Sequence, residues 1–102
     1  MVGNNYEACI VTCQNALKDY PYTSLREEFS LLLMKSKFEL AEQSVESKRL
    51  ERYQDAEDEC YGFMNQFPDS KDKALAEKYI KRCKKFTGEN SSDNQSTENN
   101  NK

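Results

Sequence analysis

Four cysteines make the first claim on chemistry. Cys9 and Cys13 stand one helical turn apart, while Cys60 and Cys83 lie far from them and from each other along the chain. Four thiolates can enclose zinc in a tetrahedral cage. Cys9 and Cys13 would then supply two ligands from one face, and Cys60 and Cys83 would converge from two other segments. No C-x-x-C knuckle is present to start such a cage. A simpler reading makes the thiols small apolar fillers, because all four fall on apolar stripes where a small or medium residue packs best. A Cys60 to Cys83 disulfide is a third reading, open in an oxidising compartment if the sulfurs touch. Cys9 and Cys13 do not pair, since their side chains run parallel up one helix. Packing is the favoured reading, and neither a metal nor another cofactor is expected.

The remaining catalytic inventory is short. There is no histidine and no tryptophan, which removes a histidine base, a Cys-His pair and the Ser-His-Asp arrangement. Three glycines, none clustered, make no phosphate-cradling loop. Acidic neighbours such as Asp58 and Glu59 point different ways on a helix and form no facing acid-base couple. No catalytic residue is expected and the chain reads as a non-enzyme. Glu51, Asp55, Asp58 and Glu59 do form an acidic stripe at helical spacing, the candidate partner-binding surface for a basic protein, although a solvated face explains it equally well. Lys81, Arg82, Lys84 and Lys85 crowd the end of a helical segment, where cations complement the helix dipole. They are also able to meet anionic headgroups or a partner.

Side chains of this kind need elements to position them. With 102 residues, 36% hydrophobic and 32% charged, the chain has material for one domain with a lean core, suited to thin layers of amphipathic helices. Net charge is -3, so the attraction to phosphates that carries non-specific nucleic-acid binding is missing. No window approaches the roughly 18 consecutive apolar residues of a membrane span. The opening Met1-Val2-Gly3-Asn4-Asn5 lacks signal-peptide character and enters a helical pattern almost at once, as a C-terminal piece of a longer protein would.

Tyr6, Cys9, Ile10, Cys13, Ala16, Leu17 and Tyr20 recur at three-and-four spacing, predicting a first helix to about Asp19 that Pro21 stops. Ser24 and Glu27 have capping-box spacing and open a second helix. That helix carries two apolar stripes, Leu25, Phe29, Leu32, Ser36, Leu40 and Leu31, Met34, Phe38, Ala41, Val45, on roughly opposite sides. A helix apolar on both sides must be covered on both, and it is expected to run about six turns to Ser47. A third helix from about Arg49 to Gln66 buries Leu50, Tyr53, Ala56, the stem of Glu57, Cys60, Met64 and Phe67. Phe67-Pro68-Asp69-Ser70 then repeats the chemistry of Tyr20-Pro21-Tyr22-Thr23, with Asp69 or Ser70 as cap. A fourth helix to about Phe86 points Leu75, Ala76, Tyr79, Ile80, Cys83 and Phe86 inward. Gly88 terminates it, and residues 88–102, without an apolar side chain, are expected to be disordered.

Two helical segments that close on an aromatic-Pro pair constitute an internal repeat, and periodic helix pairs build solenoids. The expected fold is therefore all-α: an antiparallel, tetratricopeptide-like stack of about four helices over residues 1–87. Cys9 and Ala16 before Pro21, and Ala56 before Pro68, fill the small-residue positions of a tetratricopeptide second helix, while Phe63 departs from that pattern. The prolines are 47 residues apart, against about 34 in this repeat class, with the excess assigned to the second helix and its turn.

Tyr20-Pro21, Arg26-Glu27-Glu28, Leu40-Ala41-Glu42, Ser44, Glu51-Arg52-Tyr53, Ala56 and Phe67-Pro68-Asp69-Ser70 together resemble the last repeats of the BamD family of outer-membrane β-barrel assembly lipoproteins, over roughly Ala8 to Phe86. The resemblance implies a lipid-anchored parent at the periplasmic face of the outer membrane. It implies C-terminal repeats that dock on periplasmic domains of the central barrel component. The lipidated cysteine motif and the early, substrate-receiving repeats are absent from this sequence, so docking is the role the resemblance leaves to it. A generic peptide-binding adapter of the cell envelope is the alternative, although Lys35, Glu39, Glu42, Gln43 and Glu46 are too mixed in charge to clamp a peptide carboxylate.

Overall fold

The computed structural model describes residues 5–88, which form four helices and no strand. The expected polar tail from residue 89 onward lies outside them. Helices α1 (Tyr6–Asp19), α2 (Arg26–Gln43), α3 (Glu46–Gln66) and α4 (Lys73–Lys84) pack in chain order, each on its predecessor. Cross-helix pairs fix an antiparallel course. Arg26 at the start of α2 reaches Gln66 at the end of α3, whereas Arg52 near the start of α3 reaches Ser44 just past α2.

The two aromatic-proline stops adopt one geometry. Tyr20 has φ −131° and ψ 64°, and Phe67 has φ −130° and ψ 64°. Each sits before a proline, which excludes helical geometry, and each amide still closes the last turn, Tyr20 to the Ala16 carbonyl and Phe67 to the Phe63 carbonyl, both at 2.9 Å. Downstream, Thr23 Oγ1 accepts from the Leu25 amide at 3.2 Å and Ser70 Oγ from the Asp72 amide at 3.0 Å. These hydroxyls turn the chain into the next helix. The capping box expected at Ser24 and Glu27 does not form: α2 begins without a side-chain cap, and Glu27 instead accepts a 2.6 Å hydrogen bond from Ser70. Helix α4 likewise starts one turn later than Asp69 or Ser70, at Lys73 behind Asp72.

The expected six-turn second helix is shorter. It ends at Gln43, and Ser44 and Val45 are extended before α3 begins at Glu46, ahead of the expected Arg49. The cause is local. Ser44 Oγ donates to the Leu40 carbonyl at 2.6 Å, an alternative partner that competes with helix continuation, and Arg52 donates to the same hydroxyl at 2.8 Å. Helix α3, not α2, is the longest element.

The core consists of two clusters. Met34, Cys60, Phe63, Ala76 and Ile80 form one, and Phe38, Ala41, Tyr53, Ala56 and Cys83 the other, so α2, α3 and α4 share both. Helix α2 is covered on two flanks: Ser36 and Cys9 join it to α1, and Met34 and Phe38 enter the clusters with α3 and α4. The stripes are shifted from those expected. Leu33 and Ser30 are buried, while Leu25, Leu32 and Val45 are exposed, the last beyond the end of the helix. In α3 Leu50 is exposed and Phe63, read from the sequence as a departure, is buried. Helix α4 ends at Lys84, two residues before Phe86, and residues 85–88 continue as turns. A Cβ at Gly88 would lie 3.3 Å from the Lys84 carbonyl oxygen, so close chain approach accounts for glycine there.

Candidate interaction surface

The acidic stripe divides in two. Asp55 and Glu59 turn to α2 and hold the Lys37 ammonium at 3.1 and 2.9 Å. The Lys37 side chain is only 11% exposed. Burial alone would lower its pKa, but hydrogen bonds and charge from Glu59 and Asp55 outweigh that and raise it. Glu51 and Asp58 project into solvent with no ion-pair partner among the described residues. Of the four carboxylates expected to face a partner, Asp55 and Glu59 are thus engaged by Lys37, and Glu51 and Asp58 stand exposed. Sequence periodicity placed these four carboxylates on one face but carried no sign of Lys37, which lies on a different helix.

A second network binds three helices. Glu42 of α2 accepts from Arg82 Nε at 2.7 Å and from the Tyr53 hydroxyl of α3 at 2.9 Å. Hydrogen bonding from Arg82 is the main cause of a lowered Glu42 pKa. Burial, reinforced by Glu42, pushes Tyr53 up to about 12. Around it, Phe38 stacks on Tyr79 at 4.0 Å between ring centres, and Tyr53 on Phe86 at 4.2 Å. Arg49 and Arg82 lie over the Phe86 ring at 5.8 and 5.4 Å, within range of a cation-π attraction. These groups join α2, α3 and α4 through their contacts with one another.

The cysteines sort into two pairs, each serving a different seam. Cys9 accepts a 3.1 Å hydrogen bond from Ser36 and neighbours buried Cys13; Cys60 and Cys83 are fully buried between α3 and α4. All four are free thiols. Burial pushes Cys13 up to about 11 and Cys60 and Cys83 up to about 12, so at neutral pH these three stay protonated and behave as apolar packing. Among the described residues no three His, Cys, Asp or Glu side chains gather to hold a metal ion. The four-thiolate cage considered from the sequence is not assembled.

The opposite edge, between α3 and α4, holds an open groove of about 620 Å³ whose lining includes Tyr61, Met64 and Ile80 with Lys78 and Lys81 beside them. Residue spacing carries no sign of it: Met64 falls on the buried stripe of α3 yet is half-buried and lines the groove. No helix of the described residues is long and apolar enough to cross a membrane. No protein-family model matches the chain, and no curated protein matches it.

Proposed function

We propose that this chain is a non-catalytic protein-interaction scaffold, built as a short stack of tetratricopeptide-like helix pairs. One observation carries the reading: α2 is clad by α1 on one flank and by α3 and α4 on the other, the layering of a solenoid rather than of a domain hollowed around a reaction site. The matched turns at Tyr20-Pro21 and Phe67-Pro68 support the repeat. The polar networks at Lys37 and Glu42 are consumed in joining helices, which leaves outer surfaces for recognition.

The partner class follows from the residue resemblance alone. It assigns the chain to the C-terminal docking part of an outer-membrane β-barrel assembly lipoprotein, at the periplasmic face of the outer membrane, with periplasmic domains of the central barrel component as partner. Immobilised chain is expected to recover that component from a bacterial envelope extract. Failure to do so where the longer lipoprotein succeeds would overturn the assignment. The second reading, an envelope adapter for an extended or helical peptide, predicts a tight linear ligand in a peptide array.

A further inference from the structure

We infer that the groove between α3 and α4 receives an acidic amphipathic helix of a partner protein. The inference rests on the reading of the chain as an interaction module and names the chemistry of what it takes. The floor is apolar, built by Tyr61 and Met64 of α3 and Ala74 and Ile80 of α4. A second depression, bounded by Lys81, Lys84, Lys85 and Gly88, adjoins the groove at Lys81. From Ala74 to Lys84, within α4, the two depressions span about 15 Å at helical rise, the length of a helix of about 10 residues.

Charge decides the occupant. Residues 71–85 hold seven Lys or Arg against only Asp72 and Glu77, on a chain whose net charge is -3. Arg82 and Lys84 turn inward to Glu42 and Glu57. Lys78, Lys81 and Lys85 are exposed and have no ion-pair partner among the described residues. Lys78 and Lys81 line the apolar floor beside a single carboxylate, Glu77, and Lys85 borders the adjoining depression, so an occupant gains most when it offers apolar anchors flanked by carboxylates. An amphipathic helix presents that combination, with anchors at i, i+3 or i+4, and i+7 lying in the groove and Glu or Asp on its shoulders facing the lysines. The chain's own continuation offers no such cover, since residues 89–102 contain no apolar side chain. A flat anionic bilayer would touch the lysine ridge but leave the floor unfilled.

Two labelled synthetic helices of equal length and identical apolar spacing, one with Glu and one with Lys on the polar face, test this by fluorescence anisotropy against the full chain. The Glu helix is expected to bind at least about tenfold more tightly than the Lys helix. Raising salt from about 0.05 to about 0.5 M should weaken it by about tenfold. The double variant K78E/K81E, both positions exposed and its fold checked by circular dichroism, should invert the preference. Equal binding of the two helices, no binding of the Glu helix, or indifference to K78E/K81E overturns the proposal. Three further results also overturn it by naming another occupant: anionic vesicles bound where the Glu helix is not, self-association abolished by K78E/K81E, or Glu-helix binding that appears only after deletion of residues 89–102. The envelope-extract capture separates this from the docking role. If the barrel component is recovered equally by wild type and K78E/K81E, the groove assignment falls and the scaffold stands. If capture fails while the Glu helix binds as stated, the barrel-assembly assignment falls and the groove stands.

Discussion

The turn between α1 and α2 and the turn between α3 and α4 share a backbone but not a fate. Both pass from an aromatic through proline to a hydroxyl that accepts an amide two residues on. Around the first, Tyr20 is 67% and Tyr22 97% exposed. Around the second, Phe67 is half-buried and packs against Phe63 at 5.2 Å, and Ser70 is tied to Glu27 of α2. Arg26 joins the two, donating to the Pro21 carbonyl at 2.9 Å and to Gln66 at 2.6 Å. The lesson is that local chemistry sets the shape of a turn, whereas tertiary contact sets its worth: the second turn is held by Phe63 and by Glu27 of α2, while the first, its two tyrosines exposed, is reached from α2 through Arg26.

The widest contrast is expected at the aromatics. Phe67→Ala should cost about 2 kcal/mol, a partial version of the large-to-small core penalty, and Tyr20→Ala at most about 0.5 kcal/mol. Urea denaturation measures both, and equal losses would break the comparison. At the hydroxyls, Ser70→Ala removes the acceptor of the Asp72 amide and the donor to Glu27 and should cost about 1 kcal/mol. Thr23→Ala, half-buried but with its hydroxyl bonded only within its own turn, should cost less than half of that, and a larger loss there would show the first turn to be more strongly supported than its exposed tyrosines suggest.

Helix α3 offers a sharpening in the opposite direction. Gly62 sits mid-helix with open space where a Cβ would go, so Gly62→Ala should stabilise the protein by about 0.5–1 kcal/mol through helix propensity. No gain in the denaturation midpoint would mean that α3 is held less strictly helical there. The smallest effect concerns pH. Because Glu42 has a folded pKa below its ordinary 4.5, it binds fewer protons folded than unfolded, and its contribution is complete above that value and is lost as pH falls through the folded one. Glu42→Gln should therefore flatten the decline of stability on acidification below about pH 4.5, and an unchanged slope would remove Glu42 from the links between α2 and α4.

Much of this arrangement was legible in residue spacing. The four helices follow from periodicity and the two prolines, and Met34, Phe38, Ala41, Tyr53, Ala56, Cys60, Ala76, Ile80 and Cys83 were placed inward and are buried. What escaped is tertiary. Val45 keeps the period of α2 although the helix has already ended, because a hydroxyl-to-carbonyl bond at Ser44 leaves no mark on hydrophobic spacing. Leu25 and Leu32 have the right spacing but are exposed, because how much of a stripe is covered depends on the neighbouring helix and not on spacing. The acidic stripe was seen as four carboxylates on one face; that two of them close on Lys37 depends on how α2 and α3 are set side by side.

The division of the sulfurs between two seams has a practical sequel. An alkylating reagent in solution modifies a shielded thiol only in the moments when the backbone around it opens, so each pair serves as a clock for its own seam. Half-exposed Cys9 should tick first and Cys60 and Cys83 last. The interval between them, followed by mass spectrometry, would time the loosening of α1 against that of α4 without adding a single foreign probe.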